Sequence, residues 1–459
     1  MTNTALASTD AWLLYEPTDS APWNVRRIVR LHRRAGFAAN WSEIQRDLAD
    51  GPGPAVERLL CGQAREVHTH SDFETMARTI GDAAQASGNP DRLMAWWLYR
   101  ILLSSDPLTE RLALMWHNHF ATSNRKVQDL VLMREQNELF RAHGRGPFGE
   151  LLGEVVKHPA MLVWLDADSN RKGKPNENLA RELMELFTLG IGNYTERDVK
   201  DAARAFSGWT ITSGGFQYKP TWHDDGEKEI LGHVGDLNGE ALLDILLEHP
   251  ATARRLAWRL CQTLLGEDVA LDADIDALAA GMIEHDLDIA WGVETILRSQ
   301  LFFSDAACGR RISGPTEWAV AVLHALELCD PPPSTLLVAE WVSRMGQELF
   351  YPPNVGGWSE GRAWYASRML VARANFAATL ATGSLWQPTR APALQQLVER
   401  HRGASDLPSA TAWFAELLWG HVPDGTVAEI LSATESNDGN ENLANALAVL
   451  LARPESHLT

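Results

Sequence analysis

The chain has 459 residues, a hydrophobic fraction of 45% and a formal net charge of −19. That length and apolar content suffice for a sizeable core in one large or two to three ordinary domains. The negative charge argues against general nucleic-acid binding, which needs basic surface to neutralise phosphates. No apolar run approaches the roughly 20 residues of a membrane span.

The first ten residues, Met1 to Asp10, carry neither a basic nor an apolar signal region, and the arginine-rich run after Arg26-Arg27 is too charged for a twin-arginine leader. Cytoplasmic residence is the expectation. Pro22 to Gly36 begins with a proline and ends on a glycine, the punctuation of a basic amphipathic helix. Its arginines are expected to grip acidic neighbours within the protein. Trp41 to Leu48 and Pro54 to Leu60 read as short helices. Phe73 to Ser87 and Asp91 to Ser104 continue the pattern, broken at Gly88-Asn-Pro90.

Asp106-Pro107 starts another helix, which runs into Trp116-His-Asn-His-Phe-Ala-Thr-Ser123. Two histidines two positions apart project about 200° apart on a helix. His117 and His119 are therefore candidate metal ligands only if the segment kinks or extends; otherwise they are buried, hydrogen-bonded histidines. Val127 to His143 and Phe148 to Lys157 follow as helices.

A polar loop from Trp164 to Asn176 feeds the most crowded motif, Pro175-Asn-Glu-Asn-Leu-Ala-Arg-Glu-Leu-Met-Glu-Leu-Phe-Thr-Leu-Gly190. Asn176 is the expected N-cap, with Glu177 in the first turn where the helix dipole favours an anion. With Asn178 at zero and about 100° per residue, Arg181, Glu182 and Glu185 fall at about −60°, +40° and −20°. Two carboxylates, a guanidinium and an amide thus share one stripe, opposite Leu179, Ala180, Leu183, Met184, Leu186 and Phe187. A solvated face with internal ion pairs explains such a stripe; an inward-facing site explains it too. Glu182 and Glu185 are candidate catalytic carboxylates, and Asn176, Asn178 and Arg181 candidate substrate-binding groups.

Thr195 with Asp198 three residues later caps the next helix, which runs to about Phe206. Trp209 to Lys219, with Ser213-Gly-Gly215, is the best hairpin candidate. The turn-rich Trp222 to Lys228 carries His223-Asp224, a candidate acid–base pair or a loop closure. Helices are expected again at about 239–248, 250–265, 273–285, 287–300, 314–328, 334–348 and 361–382. The region 388–459 differs in character, with two or three helices and a polar stretch, Glu435 to Glu441. The fold class is mainly α: an irregular multi-helix bundle with one small β-hairpin near 209–219. The four cysteines form no CxxC pair, and no GxGxxG, P-loop, GxSxG or HExxH motif occurs.

Five motifs in order resemble a known family: Trp116 to Ser123; Pro175 to Gly190 with Tyr194-Thr-Glu-Arg-Asp-Val199; Ala205-Phe-Ser-Gly-Trp209; His223-Asp224; and Tyr351-Pro-Pro-Asn-Val-Gly-Gly-Trp358. They are similar to domain of unknown function family 1800, a bacterial family without an established activity, over roughly 23–385. Ser207 stands where the family pattern usually has threonine. The resemblance implies a domain organisation of an N-terminal extension (1–22), a family-like helical domain (23–385) and a C-terminal helical segment (386–459). It implies that the motifs belong to one domain. It also implies a partner, since the family's genes often neighbour those of family 1501, which looks like the phosphatase and sulfatase group; many relatives are exported.

Two functions are therefore expected. One is an enzyme, with a divalent metal ion as a candidate cofactor, acting on a small polar or saccharide-like substrate through a His/Glu/Asn/Arg pocket. The other is a non-enzymatic partner or assembly protein for that phosphatase-like protein.

Overall fold

The computed structural model describes residues 10–65, 70–213, 215–434 and 439–459. It is mainly α-helical, as expected, with two two-stranded antiparallel sheets. The expected hairpin pairs Trp209–Thr212 with Gly215–Tyr218 in the register Trp209 to Tyr218; Gly214 of its turn lies outside the described residues. A second hairpin, Lys228–Ile230 with His233–Gly235, escaped the sequence reading because its strands are only three residues long.

Local chemistry sets most helix ends. The side chain of Asn40 caps Trp41–Asp50 and Glu43 returns the hydrogen bond. Thr195 and Asp198 do the same for Glu196–Ala205, as the sequence predicted. Asp106 accepts from the Thr109 amide ahead of Pro107–His119. The crowded motif departs from a simple helix: Asn178–Glu182 is α-helical, but Leu183–Thr188 widens into a π-helix. There the amide of Leu189 reaches the carbonyl of Met184, five residues back. The wider turn lets Leu183, Met184, Phe187 and Thr188 all be buried together.

Two buried apolar clusters fill the interior. The first joins Leu31, Leu112, Trp116, Phe148, Leu183, Phe206, Leu260 and Phe302. The second joins Ile28, Trp97, Leu114, Trp318, Phe376, Trp413 and Leu447. The helices Val25–Ala35 and Pro107–His119 contribute to both and run along the seam. The C-terminal stretch holds more helices than expected: Leu394–Arg402, Leu407–Trp419, Thr426–Ser432, Gly439–Ala452 and Pro454–His457. The first four pack into the second cluster with residues from the first hundred. Residues 435–438 of the polar stretch Glu435 to Glu441, and residues 1–9, lie outside the described residues.

The arginines of Val25–Ala35 correct one expectation. Among the described residues only Arg27 grips an acid, Asp305, at 3.1 Å. Arg33 donates to the carbonyls of Leu418, Leu458 and Ser456, and Arg34 to those of Leu264 and Ala307. A backbone carbonyl satisfies a buried guanidinium N–H without a second charge having to be desolvated. Among the described residues no helix is long and apolar enough to cross a membrane.

Candidate functional site

The Trp116–Phe120 motif forms the last turn of Pro107–His119, and its three polar side chains go to three different places. His117 sits among the rings of Trp97, Phe350, Trp358 and Phe140 at 5.1 to 6.3 Å. Its Nε2 is buried without a partner, and burial pushes its pKa down to about 3. His119 sits instead among Trp116, Phe120, Phe148 and Phe187. Its Nε2 lies 3.1 Å from the carbonyl of Phe187. Burial, then the nearby guanidiniums of Arg259 and Arg255, hold it well below the usual histidine range. Both imidazoles are thus neutral at physiological pH, and they share no ring neighbour. Their opposed directions follow from the roughly 200° between alternate helical positions, since the segment stays helical through His119.

Asn118 explains why the first and last motifs belong together. Its Oδ1 accepts from the Trp358 amide at 2.7 Å, and its Nδ2 donates to the Trp358 carbonyl at 3.4 Å. Gly357 passes so close that a Cβ there would collide with Asn118 Oδ1 and its backbone oxygen, and its φ is +81°. Asn124 adds a second tie: its amide bonds the Phe350 carbonyl, and its Nδ2 donates to the Tyr351 hydroxyl at 2.8 Å.

The crowded helix is set by its preceding loop. Asn176 Nδ2 donates to the Asp166 carbonyl at 2.7 Å, and Asn176 Oδ1 accepts from the Asn178 amide at 3.0 Å. Buried Asn170 is the hub: its Oδ1 takes the Asn176 amide, its Nδ2 reaches the Ala203 carbonyl, and its own carbonyl takes the Gly208 amide. On the polar stripe, Asn178 is exposed, while Arg181, Glu182 and Glu185 are half-buried. Arg181 bridges Glu177 at 3.0 Å and Glu196 at 2.7 Å. Glu185 accepts from the Tyr194 hydroxyl at 2.6 Å. Glu182 has no hydrogen-bond partner among the described residues. Burial, and then the neighbouring Glu185, raise its pKa, against a smaller lowering by Arg181. The stripe therefore lies at the surface edge of the helix, and His119 meets the same helix from its apolar side, through Phe187.

His223 and Asp224 close a loop on the end of Glu196–Ala205. His223 Nδ1 lies 2.9 Å from the Ser207 carbonyl. Asp224 accepts from Arg204 Nε at 2.9 Å and Nη2 at 3.2 Å, and its amide donates to Ser207 Oγ at 2.7 Å. The Arg204 guanidinium holds the Asp224 carboxyl down at about 2. Among the described residues no hydrogen bond or ion pair joins His223 or Asp224 to Glu182 or Glu185, and no group of three or more His, Cys, Asp and Glu is arranged to hold a metal.

Two arginines outside the expected set act on His119, and the first also reaches the π-helix. Arg255 Nε donates to the Leu186 carbonyl at 3.4 Å, with its guanidinium 4.6 Å from the centre of the Trp258 ring. It has no acidic partner among the described residues. Burial and Arg259 push it down to about 10. Arg259 reaches Glu360 at 3.4 Å. Their i,i+4 spacing on Pro250–Leu264 was visible in the sequence, but nothing there tied that helix to the motif.

The model of a family described as "Protein of unknown function (DUF1800)" matches residues 30–458. The match runs through the C-terminal helices as well as the five motifs. No curated protein matches the chain, and no solved structure does.

Proposed function

The chain belongs to the DUF1800 family, and from that premise we propose that it is an acid–base enzyme acting on a small polar or saccharide-like substrate, with Glu182 and Glu185 as the reacting pair. The observation that carries this reading is the contrast between the two carboxyls. Glu182 is half-buried, unpartnered and shifted upward; Glu185, one turn on, is held by the Tyr194 hydroxyl. Neighbouring carboxyls in unlike environments divide the roles of proton donor and proton acceptor. Glu182 is the donor and Glu185 the acceptor. Exposed Asn178 supplies an amide to the substrate, while Asn176 and Arg181 fix the helix start through Asp166, Glu177 and Glu196. In this reading His117 and His119 are core residues rather than metal ligands, and His223-Asp224 holds its loop.

The test is turnover of a panel of aryl glycosides and aryl esters by wild type, Glu182→Gln and Glu185→Gln. Loss of turnover in Glu182→Gln with an unchanged melting temperature supports the reading. Equal turnover in the two proteins, or none with wild type on any member, sinks it.

A second reading is favoured by a different observation. The Asn118–Trp358 and Ser207–Asp224 contacts join motifs directly, and Asn124 and Asn170, just outside them, bind Tyr351 and Gly208. Motifs engaged in this way fix helix order, as an assembly protein for a phosphatase- or sulfatase-like partner of family 1501 would need. Co-expression with the neighbouring gene's product and size-exclusion chromatography decides it: a stable complex supports this reading, and separate elution counts against it.

A further inference from the structure

Arg254 and Arg255 are neighbours on Pro250–Leu264 with opposite surroundings. Arg254 holds Asp272 at 2.6 Å and Asp276 at 2.7 Å. Half-buried Arg255 meets no carboxylate among the described residues. Its Nε is engaged by the Leu186 carbonyl at 3.4 Å. Its Nη1 and Nη2 have no partner among the described residues and stay open to solvent.

One turn on, Arg259 is only 8% exposed. Its Nη1 reaches Glu360 at a long 3.4 Å, its Nε is sealed without a partner, and its Nη2 is unpaired among the described residues but not sealed. Residues four apart lie about 40° apart around a helix, so both guanidiniums leave from one face. Both lie against the Trp258 ring, at 4.6 and 5.4 Å from its centre, and both act on His119.

Three segments meet at this pair. The π-helix supplies the Leu186 carbonyl, the His-Asn-His turn supplies His119, and Glu360 follows the Tyr351–Trp358 motif by two residues. Two guanidiniums thus share one exposed carboxylate, in a chain with 60 acidic and 41 basic residues. Withdrawing a cation from water without a counter-charge is costly, because its desolvation is uncompensated. Burial and Arg259 hold Arg255 down at about 10, so it still carries its charge at neutral pH.

We propose that Arg255 and Arg259 form a binding site for an oxyanion, a phosphate or a carboxylate group. The two Nη nitrogens of Arg255 are the end of its fork and take two oxygens through parallel hydrogen bonds. Leu186 and Trp258 hold that fork in place before the ligand arrives, and Arg259 adds a second positive charge behind it. The charges that act on Glu182 are Glu185 and Arg181, not this pair, so the site is separate from the proposed reacting carboxyls and does not depend on their role.

Calorimetric titration of inorganic phosphate and of acetate into the full chain tests the proposal, with wild type, Arg255→Gln, Arg255→Lys and Arg254→Gln compared. Saturable binding of at least one anion is expected; which one binds more tightly tells a phosphate source from a carboxylate source. Arg255→Gln weakens it on the order of tenfold or more. Arg255→Lys keeps the charge but loses the fork, and also binds less tightly. Arg254→Gln removes the same charge from the same helix, where it is already paired, and binds like wild type. Should Arg255→Gln fail to fold, Arg255→Lys decides. Absence of saturable binding by wild type, undiminished binding in the folded Arg255 variants, or an equal loss in Arg254→Gln overturns the proposal.

Discussion

Asn118 and Gly357, 239 positions apart in sequence, pack so closely that position 357 has no room for a Cβ. The contact turns two distant motifs into one clamp, because the Asn118 amide also takes both backbone groups of Trp358.

Gly357→Ala therefore combines a positive φ with a collision against Asn118. A loss of about 2–4 kcal/mol is expected, read as a lowered urea midpoint with an unchanged slope. Asn118→Ala alone costs about 1–3 kcal/mol, since the buried Trp358 amide loses its acceptor. The double variant is less destabilised than the sum, because alanine at position 118 removes the collision with Oδ1, while that with the backbone oxygen of residue 118 stays.

Acid lability follows from the buried histidines. The folded pKa of His117 is about 3, below its unfolded value of roughly 6.5. Between those values the unfolded chain binds the extra proton, so stability rises with pH there. The contribution is complete above about pH 6.5 and is lost as pH falls toward 3. His119, lowered in the same direction, and His457, also at about 3, add to the slope. Urea denaturation of His117→Phe between pH 4 and 7, roughly the window in which a buried histidine titrates, shows a shallower dependence than wild type. An identical slope would remove His117 from the account.

Glu182 carries the opposite sign. Its folded pKa is raised, so its contribution to stability is present below the unfolded value of roughly 4.3 and lost as pH rises through the folded one. At neutral pH, Glu182→Gln removes a half-buried charge beside Glu185. The variant melts at the same temperature as wild type or slightly higher, measured calorimetrically, while losing turnover.

Asp224→Asn separates loop closure from catalysis. The carboxylate holds Arg204 and the Gly226 amide. Its loss lowers stability by about 1–2 kcal/mol and leaves turnover per folded molecule unchanged. A fall in kcat at constant melting temperature would return Asp224 to the reacting groups.

The helices were legible where their ends carry local chemistry. Thr195 with Asp198, Pro107 after Asp106, and the Trp209–Tyr218 pairing all follow from neighbours in sequence. The stripe of Asn178, Arg181, Glu182 and Glu185 was legible as a stripe, but its direction was not: whether a helix face meets water depends on what packs elsewhere. The π-helix at Leu183–Thr188 was hidden for the same reason, since its widened turn serves the burial of Phe187 and Thr188. The arginines of Val25–Ala35 promised acidic partners and found carbonyls supplied by residues hundreds of positions away. Spacing along one segment carries no record of such acceptors.

Helices shared by the two apolar clusters have a mechanical consequence, seen best in two of them. Pro107–His119 sends Leu112 and Trp116 to one side and Leu114 to the other, and Val25–Ala35 divides Leu31 from Ile28 in the same way. Neither half can melt while the other keeps its shape, because these two rods, with Leu130–His143 and Pro159–Trp164, are built into both. Heating should therefore give one cooperative calorimetric peak. The amides of these two helices should be the last to exchange with deuterium, opening only when the whole chain does.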